Sequence, residues 1–146
     1  MIDTSLKNIL TIPRLCSTYR RNKLKETDLN PSLHMYISYI HYHPGCRQES
    51  LMANFCLDKT TVTHQLNHLE KDGYIRREIS KEDGRCRVLY LTDKAEAIYP
   101  VVHSAWCEFT DHLLEGLSDE EKKQLDILTA KLAENARNFV YKEKQS

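Results

Sequence analysis

Between Lys59 and Asp72 the chain carries three apolar residues, Val62, Leu66 and Leu69, in a run otherwise made of threonine, histidine, amide and charged side chains. Their spacing of four and three predicts a helix that buries one narrow stripe and leaves the rest of its surface polar. Asp58 precedes it as an N-cap, with a carboxylate able to accept the free amides of Thr60 or Thr61. Gly73 follows it at the usual C-terminal glycine position. The period then changes at once. Tyr74 to Ile79 and Arg87 to Leu91 are rich in β-branched and aromatic residues, and the polar stretch between them centres on Asp83-Gly84, a hairpin signal. A helix with one buried edge and a two-stranded hairpin cannot form a core alone. The remaining segments must supply it.

Those segments read as helices. Leu6 to about Lys25 places Leu6, Ile9, Leu10 and Leu15 on an apolar face that Pro13 kinks or restarts. Asn30 caps a second helix with Pro31 at its first position, and it runs to about Tyr42 before His43-Pro44-Gly45 stops it. A short helix covers Gln48 to Phe55, separated by Cys56-Leu57 from the helix after Asp58. Beyond the hairpin, Thr92 or Asp93 caps a long helix to about Leu114 that must tolerate or bend at Pro100. Ser118-Asp119-Glu120-Glu121 fits a capping box opening a last helix, with Leu125, Leu128, Leu132, Ala136, Phe139 and Val140 on one face. The fold class is mainly α with a small β-hairpin wing.

Composition narrows the function. The chain has 146 residues, enough for one ordinary domain, and its 21 basic and 21 acidic residues exclude a histone-like arm or an acidic tail. No apolar run approaches the roughly 20 residues needed to span a bilayer, and the first residues lack a signal-peptide layout, so the expectation is a cytoplasmic protein with no membrane partner. Five scattered cysteines without a Cys-x-x-Cys pair argue for free thiols rather than a zinc ribbon. Phosphate-loop, zincin and nucleophile-elbow motifs are all missing, so no catalytic residue and no cofactor are expected, and the chain reads as a non-enzyme.

Short helix, tight turn, polar-faced helix and hairpin in this order make a winged helix-turn-helix, whose second helix enters a major groove while the wing reaches the neighbouring minor groove. The runs Leu57-Asp58-Lys59-Thr60-Thr61-Val62-Thr63 and Leu69-Glu70-Lys71-Asp72-Gly73-Tyr74-Ile75-Arg76-Arg77, with Asp83-Gly84-Arg85 and Leu91-Thr92, resemble the MarR family of bacterial transcription regulators. The resemblance covers roughly residues 30 to 136. Two departures stand out: Cys56 takes the place of a usual turn glycine, and His64 a position often held by arginine. The resemblance implies one domain over 1–146, with a DNA-binding lobe at 30–94 and dimerisation helices at 1–27 and 95–146. It implies a homodimer on palindromic double-stranded DNA, a repressor released by a small-molecule effector.

On this reading Lys59, Thr60, Thr61, Thr63, His64, Asn67 and His68 face the groove. The threonine hydroxyls and helix N-terminal amides suit phosphates, and His64 and Asn67 are long enough to reach base edges, Asn pairing bidentately with adenine. At the wing, Arg85 suits a narrow minor groove, and Asp83 holds the arginine or the loop in shape. Lys81 and Arg87 are phosphate contacts or members of ion pairs; of Arg76 and Arg77, one reaches a phosphate and the other an acidic neighbour. Gln48 is a further phosphate donor. From Arg47 to Lys94 nine basic residues face eight acidic ones, so affinity rests on a few placed contacts, doubled in a dimer and strongly salt-dependent.

For the effector, His34, Tyr36, Tyr39, His103 and Trp106 could line a crevice between the dimerisation helices and the DNA-binding lobe, or could be core. Two other sensors stay open. Cys16 could respond to thiol oxidation, and His103 with Cys107, four apart on one helix, could chelate a metal if His34 or His112 joined them. A different class altogether is a winged-helix module that contacts proteins and not DNA.

Overall fold

The computed structural model describes residues 4–143. Helix α1 (Thr4–Lys23) continues through Pro13. A 3-10 turn at Pro31–Leu33 leads into α2 (His34–Tyr42), and α3 (Gln48–Phe55) and α4 (Lys59–Lys71) follow. Strands β1 (Ile75–Ile79) and β2 (Arg87–Leu91) pair antiparallel, Ile75 opposite Leu91 and Ile79 opposite Arg87. Helices α5 (Asp93–Leu113), continuous through Pro100, and α6 (Asp119–Glu143) complete the chain. Two compact units result, Met1–Phe109 and Thr110–Ser146.

Local chemistry sets the boundaries. Asn30 accepts the Ser32 amide at 3.0 Å and opens the 3-10 turn with Pro31 at its start. Cys56 ends α3 in the left-handed conformation, φ 53°, where a glycine would avoid the Cβ penalty. Gly73, φ 77°, ends α4. Thr92 closes the hairpin onto α4, its hydroxyl donating to the Gly73 carbonyl at 2.6 Å. In the second unit Ser118 and Glu121 form the expected capping box: the Ser118 amide donates to Glu121 at 2.8 Å and the Glu121 amide to the Ser118 hydroxyl at 3.3 Å.

The core of the first unit gathers Leu24, Leu29, Leu33, Ile37, Ile40, Leu51, Tyr74, Leu89 and Val102 around the α4 stripe. Val62, Leu66 and Leu69 are wholly buried, each contributing about 2 kcal/mol of apolar burial. One contact escapes a reading by strands alone. Cys46, in the loop before α3, forms a bridge with Leu89, so β2 is held on both edges: Gly45 donates to the Leu89 carbonyl at 2.8 Å and the Leu89 amide to the Cys46 carbonyl at 2.9 Å. This hooks the base of the wing to the scaffold.

His34 belongs to this scaffold. Its Nδ1 lies 2.8 Å from the Pro31 carbonyl, and as donor it closes the start of α2 with the ring buried. Burial, aided by the Arg20 charge, pulls its pKa from 6.5 down to about 4. Between those values the unfolded chain binds a proton that the folded one does not, so stability is full above 6.5 and falls as pH drops toward 4. The shift corresponds to about 3 kcal/mol. Thermal midpoints measured from pH 7 to pH 4 are expected to fall more steeply for the natural chain than for His34→Gln, which keeps a donor but cannot titrate. Parallel curves would remove His34 as the cause.

Candidate nucleic-acid interface

The exposed side of α4 begins at its cap. The Asp58 carboxylate accepts the Thr61 amide at 2.9 Å and the Thr61 hydroxyl at 2.7 Å, and these bonds hold its pKa below the usual carboxylate value. Asp58 is thus the cap, and the Thr61 hydroxyl proton is committed to it. Lys59 and Thr60 are exposed on the first turn, whose Thr60 and Thr61 amides face the Asp58 carboxylate. One turn on, the Gln48 amide nitrogen donates to the Thr63 hydroxyl at 2.7 Å. That bond clasps α3 to α4, so Gln48 and Thr63 serve the geometry of the two-helix unit. His64 and His68 are exposed one turn apart, their rings edge-on at 4.6 Å.

Asn67 is exposed on the same helix, and its Oδ1 accepts from Arg77 Nη2 at 2.9 Å. Arg77 Nη1 donates to Glu70, so one guanidinium spans two residues of α4 from its place on β1. The signal was present in the pleat: Arg77 stands two residues after buried Ile75 and so shares its face. Arg76, on the opposite face, is exposed and also meets acid. It bonds Glu78 at 2.7 Å and the Leu91 carbonyl at 2.6 Å, and lies over the Tyr90 ring. Arg77 is therefore engaged within the protein with little of its side chain exposed, whereas Arg76, though bonded, keeps about half of its side chain open.

The wing tip is built by Asp83. Its Oδ1 accepts the Arg85 amide at 3.1 Å, its Oδ2 accepts the Cys86 thiol at 3.0 Å, and Arg47 Nη2 stands 3.9 Å away. The thiol bond, the Arg85 amide and Arg47 together hold the carboxyl below its usual range. Ser80 accepts the amides of Glu82 and Asp83 from the other side of the loop. Of the two expected tasks for Asp83, shaping the loop is the one its bonds perform. Arg85 is exposed, and among the described residues nothing bonds its guanidinium. Lys81 and Arg87 are likewise exposed with no ion pair among the described residues.

The candidates for sensing have separate surroundings. His34 and Tyr36 are core residues, and Tyr36 and Tyr39 both pack on Phe55, at 5.6 and 5.7 Å between centroids. His103 contacts Tyr99 and Cys107 on its own helix, at 3.4 Å each, and Trp106 is about half exposed. A cleft of about 340 Å³ lies elsewhere, at the base of the wing, lined by residues that include Pro44, Arg47, Glu78, Lys81 and Tyr90. Among the described residues no three of His, Cys, Asp and Glu gather as a metal site. Cys16 is buried, its sulfur accepting from Arg20 at 3.1 Å. Sequence reasoning passed over His41, which stacks on Tyr99 at 3.6 Å and bonds Glu96 at 2.9 Å, tying α2 to α5. No helix among the described residues is long and apolar enough to cross a membrane.

Residues 29–87 match the pattern of the MarR family. The chain is 34% identical over 112 residues to the HTH-type transcriptional regulator BilQ of Clostridium symbiosum, covering 77% of this chain and 78% of that protein. A MarR family regulator from Listeria monocytogenes, crystallised in complex with 26mer DNA, superimposes with a TM-score of 0.85 at 26% identity, over 95% of this chain and 93% of that one. A MarR protein from Peptoclostridium difficile gives a TM-score of 0.86 at 25% identity, over 97% and 93% of the two chains.

Proposed function

The chain belongs to the MarR family of transcription regulators, and we propose that two copies bind a two-fold symmetric DNA operator, each laying α4 in a major groove and Arg85 in the adjacent minor groove. The observation that carries this reading is the division of labour at the wing tip: Asp83 is spent on loop shape, while the arginine beside it is held out with its guanidinium unengaged. A loop locked in form but presenting a guanidinium that nothing among the described residues bonds suits a narrow groove of focused negative potential. Thr60, His64, Asn67 and His68 supply the polar edge of α4, and Lys59, Lys81 and Arg87 the phosphate contacts. On promoter DNA such a dimer acts in the cytoplasm as a repressor, released by a small-molecule effector that alters the separation of the two recognition helices.

Selection of bound duplexes from a random pool tests this. The enriched sequence is expected to be an inverted repeat with half-sites about one helical turn apart. Three phosphate-contacting cations in each of two copies make about six contacts, giving a log–log salt slope near −5 and roughly a thousandfold loss of affinity between 50 and 200 mM salt. No enriched sequence, or an affinity indifferent to salt, overturns the reading and leaves a winged-helix module for protein contacts.

A further inference from the structure

The bond between Arg77 and Asn67 has a consequence for which bases the protein reads, an inference that rests on the DNA-binding reading above. A guanidinium carries only donors. The amide beside it must therefore turn its carbonyl oxygen inward, and Asn67 Oδ1 accepts from Arg77 Nη2 at 2.9 Å. Glu70, one turn along the same helix edge, takes the other arm of the fork, and the Arg77 side chain is only 14% exposed. The fork is thus anchored on both sides. Asn67 itself is exposed, and among the described residues nothing accepts from its Nδ2. Toward the groove, then, the side chain presents N–H donors.

Bidentate recognition of adenine needs the asparagine oxygen to accept from N6 while the nitrogen donates to N7. Here the oxygen is turned to Arg77 and one of its two lone pairs is taken, which fixes the orientation of the amide. We infer that Arg77 is a positioning residue that sets Asn67 as a donor, so that the base facing it is a keto base, guanine through O6 and N7 or thymine through O4. Cytosine and adenine, which present amino groups in place of those keto oxygens, are disfavoured.

Random-pool selection with three proteins tests this. The natural chain is expected to show a keto preference of roughly tenfold at one position of each half-site. Asn67→Asp keeps an acceptor toward Arg77 and turns an oxygen to the groove, and it is expected to reverse that one preference toward cytosine or adenine. Arg77→Met, which keeps the packed stem, frees the amide to flip; preference at that position is expected to fall to less than about threefold, with the other positions unchanged. Should Arg77→Met not fold, the reversal by Asn67→Asp decides alone. A natural chain that enriches no sequence refutes the interface and this inference with it. An enriched palindrome with adenine at the Asn67-dependent position, or with every position unmoved by Asn67→Asp, overturns this inference and leaves the interface standing.

Discussion

Arg85→Ala is expected to weaken operator binding by at least roughly a hundredfold while leaving the thermal midpoint nearly unchanged. The two halves of that expectation come from different atoms of one residue. The turn is closed by the Arg85 backbone amide, which donates to Asp83, and by the Cys86 thiol on the other carboxylate oxygen; neither involves the Arg85 side chain. Truncation should therefore leave the loop as it is. What is lost is a guanidinium with no partner among the described residues. Hydrogen bonds to charged groups contribute about 1.5–3 kcal/mol each. A two-fold complex loses the contact twice, about 3–6 kcal/mol, or at least two orders of magnitude in affinity. Arg85→Lys is expected to recover only part of this, because an ammonium is a strongly hydrated point charge without the planar fork. Gel shifts and thermal melts on the same preparations check both halves. Equal affinity for the natural chain and Arg85→Ala would remove Arg85 from the mechanism.

The path to Arg85 was legible in the sequence because it ran through local signals. Asp58 as a cap, Gly73 as a terminator, Asp83-Gly84 as a turn and the Val62, Leu66, Leu69 stripe each report a backbone requirement at their own position, and each stands where expected. The Ser118–Glu121 capping box is of the same kind. Contacts between distant segments were not legible, since nothing in the local pattern specifies the partner. Lys94, an ordinary surface lysine by sequence, joins Asp28 and the Asp72 carbonyl at 2.9 Å each and lies 4.2 Å from the Tyr74 ring centroid. The Cys46–Leu89 bridge depends on where the loop after α2 comes to rest, which Pro44 and Gly45 permit but do not dictate. Polar groups within the site divided similarly. Thr60, Thr61, Thr63 and Asn67 all look groove-facing by helical position. Only the folded arrangement distinguishes a hydroxyl committed to a cap, one clasped by Gln48 and an amide pinned by Arg77 from the exposed Thr60.

The second large effect concerns oligomeric state. Within the second unit, α6 carries Leu125, Leu128, Leu132, Phe139 and Val140 on one side with between 41% and 65% of their surface open. Within the first unit, α1 shows the same condition at Leu6, Ile9, Leu10 and Leu15, each at least 41% exposed. Contiguous apolar stripes of this length are uncommon on monomers and mark surfaces that another chain covers. A homodimer is therefore expected, with gel filtration giving twice the mass of one chain. Leu128→Glu combined with Leu132→Glu places two charges four residues apart in the middle of the α6 stripe. Because both side chains are open in the single chain, helical content should be kept while the dimer dissociates. A separated copy holds one half-site. If the natural complex binds with a Kd of about 1 nM, near 12 kcal/mol, half of that energy leaves a Kd of tens of micromolar, on the order of ten thousandfold weaker. The loss should exceed that of any single DNA contact because it removes one whole set at once. A natural chain that elutes as one copy would refute the symmetric arrangement while leaving α4 and the wing intact as a half-site reader; a doubly substituted chain that remains paired and binds normally would remove the α6 stripe from the interface.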